Sequence, residues 1–294
     1  MNATVTSCAL VGVEPRAVSV ETHVTSGKPL FAIVGLPDTA VREAKERVRA
    51  AFASSGYDFP RGRVVVNLSP ADLPKVGSTY DLPIALGVLA ANGGLRAECA
   101  DVVALGELAL DGSVSKATGG LGAALVAERS GRLCLLPAAA ASEAASSERP
   151  GVRVVRSLRH AVAVVEGSEP GDPIVEPARV VESVPDLAEV RGQGQTRRAL
   201  EIAASGGHHL LLVGVPGSGK TMIARALPGI LPPLGDEEVA DVLLAWSAAG
   251  LTRIDPRVPP FRSPHHSASM AALIGGGSGI PTPGEVVLAH PRVC

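Results

Sequence analysis

The sequence predicts an α/β protein of two domains, and three observations carry that expectation. Short β-branched segments alternate with segments whose apolar residues recur at helical spacing. A stretch rich in Pro, Gly and Glu, residues 167–184, interrupts the alternation. Beyond it a glycine-rich loop, "GVPGSGKT" at 214–221, joins an apolar run to a helix-forming one. With 294 residues the chain is long enough for two ordinary domains.

The elements follow in order. "TVTSCALVGV", "AVSVETHV" and "LFAIVGL" read as strands, with Glu14-Pro15 and Gly27-Lys28-Pro29 as the turns between them. Pro37-Asp38 opens a helix whose apolar positions are Val41, Ala44, Val48, Ala51 and Phe52, with Gly56 as its stop. "RVVVNLS" is a strand and "DLPIALGVLAANGG" a helix closed by glycines. "DVVALGELAL" and "RLCLLP" are strands flanking a helix from about Gly120 to Arg129. "GVRVVRS" and "LRHAVAVVEG" close the first domain, residues 1–166, as strand and helix. Residues 167–184 read as a linker, and 185–294 as a second unit. There, "GQTRRALEIAASGG" is a helix, "HHLLLVG" a short buried strand, "GKTMIARALPG" the helix after the loop, and "DEEVADVLLAWSAAG" another helix with acids at its positive end. A Pro-rich loop and "LIGGGSGIPTPGE" follow, the latter read as a long mobile glycine stretch.

Composition bounds the function. Apolar residues make up 46 % of the chain but aromatics only 2 %, so the cores must be built from Val, Leu, Ile and Ala. The net charge of −2 announces no global nucleic-acid or membrane surface, though a local basic stripe on an assembly stays open. Cys8, Cys99, Cys134 and Cys294 show no paired spacing; three read as small buried hydrophobes and the last as a terminal residue. The first residues lack the basic start and apolar core of a secretory signal. The longest apolar stretches fall short of the ~20 residues of a membrane span. The expectation is a cytoplasmic protein with no membrane partner.

Gly214, Gly219, Lys220 and Thr221 fit G-x-x-x-x-G-K-[ST] between a strand and a helix. Glycines let successive backbone N–H groups point inward, where they and the helix N-terminus stabilise phosphate charge. The candidate cradle is Gly214, Val215, Pro216, Gly217, Ser218, Gly219, Lys220 and Thr221. Lys220 would reach the β- and γ-phosphates of ATP, and Thr221 would offer its hydroxyl to Mg²⁺.

Two long stretches, "GQGQTRRALEIAASGGHHLLLVGVPGSGKTMIARALPGILPPL" and "PFRSPHHSAS…LIGGG…PGEVVLAH", resemble the AAA+ module of the YifB/ComM family, the magnesium-chelatase-like ATPases. "FAIVGLPDTAVREAKERVRAA", "VVVNLSPADLPKVGSTYDLPIAL" and "GELALDGSV" resemble that family's N-terminal domain. The resemblance implies a Lon-protease-like (ribosomal-S5-domain-2-like) α+β domain followed by a P-loop AAA+ α/β domain. It implies a ring-forming, hexameric homo-oligomer, and for the ComM branch DNA branch migration during recombination. By position, Val190, Gly192 and Gln193 fall where such proteins hold adenine. The family's acidic Walker B strand follows "GE-x-x-LAH-x-G". Here His290 is followed by Pro291, Arg292, Val293 and Cys294. The resemblance therefore implies an incomplete ATPase domain that binds ATP with Mg²⁺, hydrolyses it at background rate and carries no catalytic residue. It also implies that the strand at about 209–213 lacks its neighbours, leaving 185–294 marginally ordered beside a stable 1–166.

Other constellations carry less. "PKVGSTYD" resembles the nucleophile region of Lon-type peptidases, with Ser78 or Thr79 as candidates. The lysine base that such chemistry needs is absent where the family places it, the position being Gly122, and Lys116 is displaced. A non-peptidase domain is expected. His208-His209 and His265-His266 suggest metal, but adjacent residues on an extended segment point to opposite sides and no Cys or carboxylate set accompanies them. Arg42–Glu46 and Glu43–Arg47 read as i,i+4 pairs on a solvated helix face. Arg197-Arg198, Arg253, Arg257 and Arg262 are the arginines of interest for a DNA motor. The loop around 275–279 is placed toward a pore by resemblance alone. The other function left open is a non-catalytic nucleotide-binding or interaction module.

Overall fold

A computed structural model describes residues 1–95, 99–115, 117–144, 151–174, 184–251, 257–277 and 281–290. The chain divides into two compact units, Met1–Pro177 and Ala178–Cys294, and both have mixed helix and strand content. Lys116, Arg253, Cys294, the tail after His290, residues 175–183 of the expected linker and 278–280 of the glycine loop lie outside the described residues.

The first unit is a seven-stranded mixed sheet in the order β3-β4-β2-β1-β5-β8-β9. Its strands are β1 (Asn2–Val11), β2 (Glu14–Thr25), β3 (Leu30–Val34), β4 (Arg63–Ser69), β5 (Val102–Ala104), β8 (Leu133–Leu136) and β9 (Val152–Val154). A separate ribbon pairs β6 (Glu107–Leu108) with β7 (Val114–Ser115). β1 and β2 form a ten-pair hairpin closed at Val11↔Glu14, so the turn is Gly12-Val13 and not Glu14-Pro15. Gly12 takes φ +60°, a conformation that favours glycine. Pro15 sits in β2 opposite Leu10, and β2 meets β4 only from Ser19 onward, so its missing N–H leaves no ladder bond unmade.

"DVVALGELAL" is two strands rather than one. Gly106 breaks it, because its N–H donates to the Thr79 carbonyl (2.9 Å) and its carbonyl accepts from Leu82 N–H (3.0 Å). A Cβ there would lie 2.5 Å from Val114 Cγ1. The backbone thus leaves the sheet to meet the 78–82 segment.

Helices α1 (Thr39–Ser55), α2 (Asp81–Ala91) and α5 (Leu158–Val165) cover one sheet face, and α3 (Gly120–Ser130) and α4 (Ala138–Ala144) the other. Strand alternation sorts the residues. Val102, Ala104 and Leu135 belong to the first core, while Val103, Cys134 and Leu136 belong to the second. Helix α4 lies in an alanine run that carries no period by which to foresee it. As expected, Cys8, Cys99 and Cys134 are buried free thiols, and burial holds all three well above the ordinary thiol range, Cys8 and Cys99 at about 12.

Asp38 caps α1 by accepting Val41 N–H (2.8 Å) and also accepts Gly77 N–H (3.0 Å), tying the helix start to the 70–77 loop. Gly56 ends α1 in the left-handed conformation. Arg47 does not belong to a solvated face. Its guanidinium forks onto the wholly buried Asp81 (2.6 and 3.0 Å), with a weaker contact to Glu43 at 3.9 Å. Arg42 bonds the Pro37 carbonyl rather than Glu46. Residues 168–172 of the expected linker are bonded to the first unit. Asp172 N–H donates to Val154 (2.9 Å), Arg156 pairs with Asp172 (2.5 Å), and the His160 ring contacts the Pro170 carbonyl (2.9 Å).

The second unit contains α6 (Gly194–Gly206), α7 (Lys220–Ala226), α8 (Asp236–Ala248), α9 (Met270–Ile274) and α10 (Glu285–Ala289). A small ribbon pairs β10 (Gly275–Gly276) with β11 (Thr282–Pro283). "HHLLLVG", read as a short buried strand and, by resemblance, as one without its neighbours, forms no ladder among the described residues. Leu212 packs inward beside a cluster of Leu187, Val190, Leu200, Ile223 and Ala226, while Leu211 and Val213 are 85 % and 86 % exposed. Alternation typical of a strand survives without pairing.

Candidate functional site

The loop 214–219 connects that extended segment to α7. Gly217 and Gly219 take φ +80° and +83°, and a Cβ on Gly214 would stand 3.0 Å from Ser218 Oγ. Only glycines allow this closed path. The Lys220 ammonium is folded over it, donating to the carbonyls of Gly214 and Val215 (both 2.7 Å) and to Ser218 Oγ (3.2 Å). These acceptors are neutral. A phosphoryl oxygen is charged and makes the stronger bond.

Gln193 joins this loop from outside it. Its side-chain amide donates to the Ser218 carbonyl at 2.8 Å, and its nitrogen lies 3.3 Å from where a Gly219 Cβ would be. Gln193 itself has φ +53°, unusual for a residue with a side chain, and follows Gly192 at φ +73°. Val190 is buried in the cluster beneath α7. Of the three residues placed at the base by resemblance, the structure brings the Gln193 side chain against the loop, while Val190 packs into the apolar cluster with Ile223 and Ala226. Val215 and Thr221 are exposed at its rim. The residues present fit a phosphate ligand: a loop closed by glycines, a cation at its centre, and a hydroxyl at the edge. Among the described residues no group of three or more His, Cys, Asp or Glu could hold a metal unaided.

The remaining candidates resolve otherwise. His265 and His266 do not point apart. Their rings are 4.1 Å between centroids, because the chain turns at 266–267 instead of running extended, and His265 bonds Ser267 Oγ (2.6 Å). Arg198 pairs with Glu201, Arg257 with Asp236 (both 2.8 Å) and Arg262 with Glu285 (2.5 Å), so these three arginines are committed within the unit. Arg197 reaches the Val190 carbonyl at 3.5 Å.

In the first unit Ser78 Oγ donates to the Glu107 carboxylate, a contact between segments 29 residues apart that has no local sequence signal. Gly122 is packed closely: a Cβ there would lie 2.9 Å from Leu10 Cδ2 and 3.2 Å from Pro15 Cβ, so a side chain at this position requires Leu10 to shift. Lys75 is wholly buried, its ammonium bonded to the Pro70 carbonyl, and burial lowers its affinity for the proton.

A two-unit α/β chain with a lysine-bearing glycine loop at the head of a helix defines a class, and comparison with known proteins narrows it. Residues 20–140 match the family model "Subunit ChlI of Mg-chelatase", and residues 186–294 match "Magnesium chelatase, subunit ChlI". The chain is 43 % identical over 286 residues to the uncharacterized protein YifB of Salmonella typhimurium, covering 96 % of this chain and 56 % of that one. It is 44 % identical over 293 residues to the uncharacterized protein Rv2897c of Mycobacterium tuberculosis (98 % and 58 %), and 40 % identical over 296 residues to competence protein ComM of Haemophilus influenzae (98 % and 58 %). The chain belongs to the YifB/ComM family of magnesium-chelatase-like proteins. It spans a little over half the length of these curated relatives. No helix among the described residues is long and apolar enough to cross a membrane.

Proposed function

We propose that residues 190–221 bind ATP with Mg²⁺, as the nucleotide-holding part of an AAA+-type ATPase. The loop Gly214–Thr221 would hold the phosphates, Lys220 would neutralise the terminal ones, Thr221 would ligate the metal, and Val190, Gly192 and Gln193 would border the base. Bound Mg²⁺ would supply charge neutralisation between phosphate oxygens. The observation that carries this reading is the Lys220 ammonium, 2.7 Å from two loop carbonyls at the centre of the glycine loop. In the longer protein we propose nucleotide-driven work on DNA by an oligomeric ring. The first unit is proposed to have a Lon-protease-like fold without peptidase activity. Ser78 faces a carboxylate and position 122 is a glycine packed against Leu10 and Pro15, which supports that reading.

Titration of residues 1–294 with a fluorescent ATP analogue tests the proposal. Replacing Lys220 by Ala removes charge-assisted bonds worth roughly 1.5–3 kcal/mol, so affinity falls about 10- to 150-fold. Chelating Mg²⁺ weakens binding in the parent, and Thr221→Ala reduces that metal dependence. Equal affinity of parent and Lys220→Ala protein refutes the site.

A further inference from the structure

We infer that one end of the first unit's sheet is a contact surface for the phosphate backbone of a nucleic acid, built from Lys28, Arg49, Arg61 and Arg63. The second unit's loop plays no part in it. Only the choice of nucleic acid among polyanions leans on the DNA reading above.

The four cations are brought together by the fold. β3 and β4 run parallel with Leu30 opposite Arg63, and Leu30 N–H donates to the Gly62 carbonyl (3.3 Å). The 26–29 turn therefore lies beside the 61–63 segment. Gly62 makes that approach feasible, since a Cβ there would overlap the Thr25 carbonyl. Thr25, the last residue of β2, pairs with Arg63 from the other side. Arg49 reaches the same end from α1, its guanidinium 5.3 Å from the Phe59 ring centroid and 5.8 Å from that of Phe31. Phe31 and Phe59 are themselves 5.1 Å apart. This stack holds the Arg49 head in place at the surface.

All four side chains are exposed. Among the described residues, none of them is ion-paired with a carboxylate. The arginines of the second unit behave in the opposite way, Arg198, Arg257 and Arg262 each being paired. The acids nearest in sequence are Glu46, three residues before Arg49, and Asp58, three before Arg61, and neither is paired with the cluster among the described residues. On a chain of net charge −2 this is a local departure in sign. Uncompensated cations on rigid backbone are what a polyanion recognises, and guanidinium groups fork onto phosphate. The one helix that carries a member of the cluster, α1, buries its apolar face (Val41, Ala44, Val48, Phe52) in the core, so it has no free apolar face to insert into lipid.

Fluorescence anisotropy with a labelled DNA oligonucleotide, single- and double-stranded, tests this on the full chain without nucleotide. About four phosphate contacts give a slope near −3.6 in log K against log[salt] on duplex. Lys28→Ala/Arg61→Ala/Arg63→Ala lowers affinity at least tenfold at about 50 mM salt and flattens the slope by about 2.7. The matched control Arg16→Ala/Arg42→Ala/Arg129→Ala removes as many exposed cations from the same unit and keeps both. Circular dichroism confirms that both variants stay folded, and Lys220→Ala binds DNA like the parent. Loss of ATP binding in Lys220→Ala with DNA affinity retained separates the two sites. Equal DNA affinity of the two triple variants overturns the inference. So does a parent that sediments with phosphatidylserine-containing vesicles and leaves DNA free.

Discussion

The single tryptophan of the chain sits in a contact that makes one prediction unusually direct. Trp246, on α8, donates its indole N–H to the Leu288 carbonyl (3.0 Å). The Arg262 guanidinium lies over its ring, 5.5 Å from the centroid, and forks onto Glu285 at 2.5 and 2.6 Å. One arginine thus links α8, the 257–265 segment and α10. Arg262 and Glu285 are about a quarter exposed, so the pair is partly shielded from solvent. A charge-assisted bidentate pair in that setting contributes roughly 1.5–2 kcal/mol and the cation–π contact about 0.5. Glu285→Gln replaces the charged fork by a neutral acceptor and should raise the local opening equilibrium of α10 about thirtyfold, as ~2 kcal/mol requires. Tryptophan fluorescence follows this without labels: quenching by iodide rises in Glu285→Gln and in Arg262→Met.

Acid should reproduce the effect. The Arg262 hydrogen bonds hold the Glu285 carboxyl below its ordinary value of 4.5. A depressed folded-state pKa contributes stability that is present above the unfolded value and is lost as pH falls through the folded one. The indole signal therefore stays constant above pH 4.5 and changes below it, while Glu285→Gln shows no such transition. A parent and variant with the same acid profile would refute the latch.

Further predictions concern the first unit and the extended segment. Arg47→Ala strands the Asp81 carboxylate, for which burial already opposes ionisation, and should cost about 3–5 kcal/mol in urea unfolding; Arg47→Ala/Asp81→Ala recovers part of this, whereas additive losses argue against coupling. Gly87→Ala places a Cβ 2.6 Å from Thr22 Oγ1, a buried hydroxyl with no hydrogen-bond partner among the described residues, so α2 or the Thr22 side chain must shift; a loss of about 1–3 kcal/mol is expected, and unchanged stability contradicts the packing. Backbone amides of 209–213 should exchange with solvent far faster than those of β1 and β4, and equal protection would show that the segment is paired after all.

Much of this architecture was legible because its signals are local. The α1 pattern of Val41, Ala44, Val48, Ala51 and Phe52 gives the helix, its buried face and, with Asp38 and Gly56, both ends. The glycine loop was legible for the same reason, since its residue types encode its own conformation. Contacts between distant segments were not. Arg47 looks like any surface arginine until Asp81, 34 residues away, is folded beneath it. Likewise the Ser78–Glu107 contact depends on Gly106 drawing the chain out of the sheet.

The 209–213 segment shows where the boundary between the two kinds of information falls. Its alternation is obeyed: Leu212 is turned inward, and Leu211 and Val213 outward. That much follows from backbone geometry and the apolar cluster on one side of the segment. A β-ladder requires a second backbone at hydrogen-bonding distance, which none of the described residues provides. The loop nonetheless closes without that ladder, because its bonds run from Lys220 and Gln193 to oxygens within residues 214–218. Closure of the loop and sheet pairing are therefore separable in this protein. The first should withstand substitutions at Leu211 or Val213 that the second could not, and parallel measurement of nucleotide affinity and hydrogen exchange in Leu211→Asp tests that division.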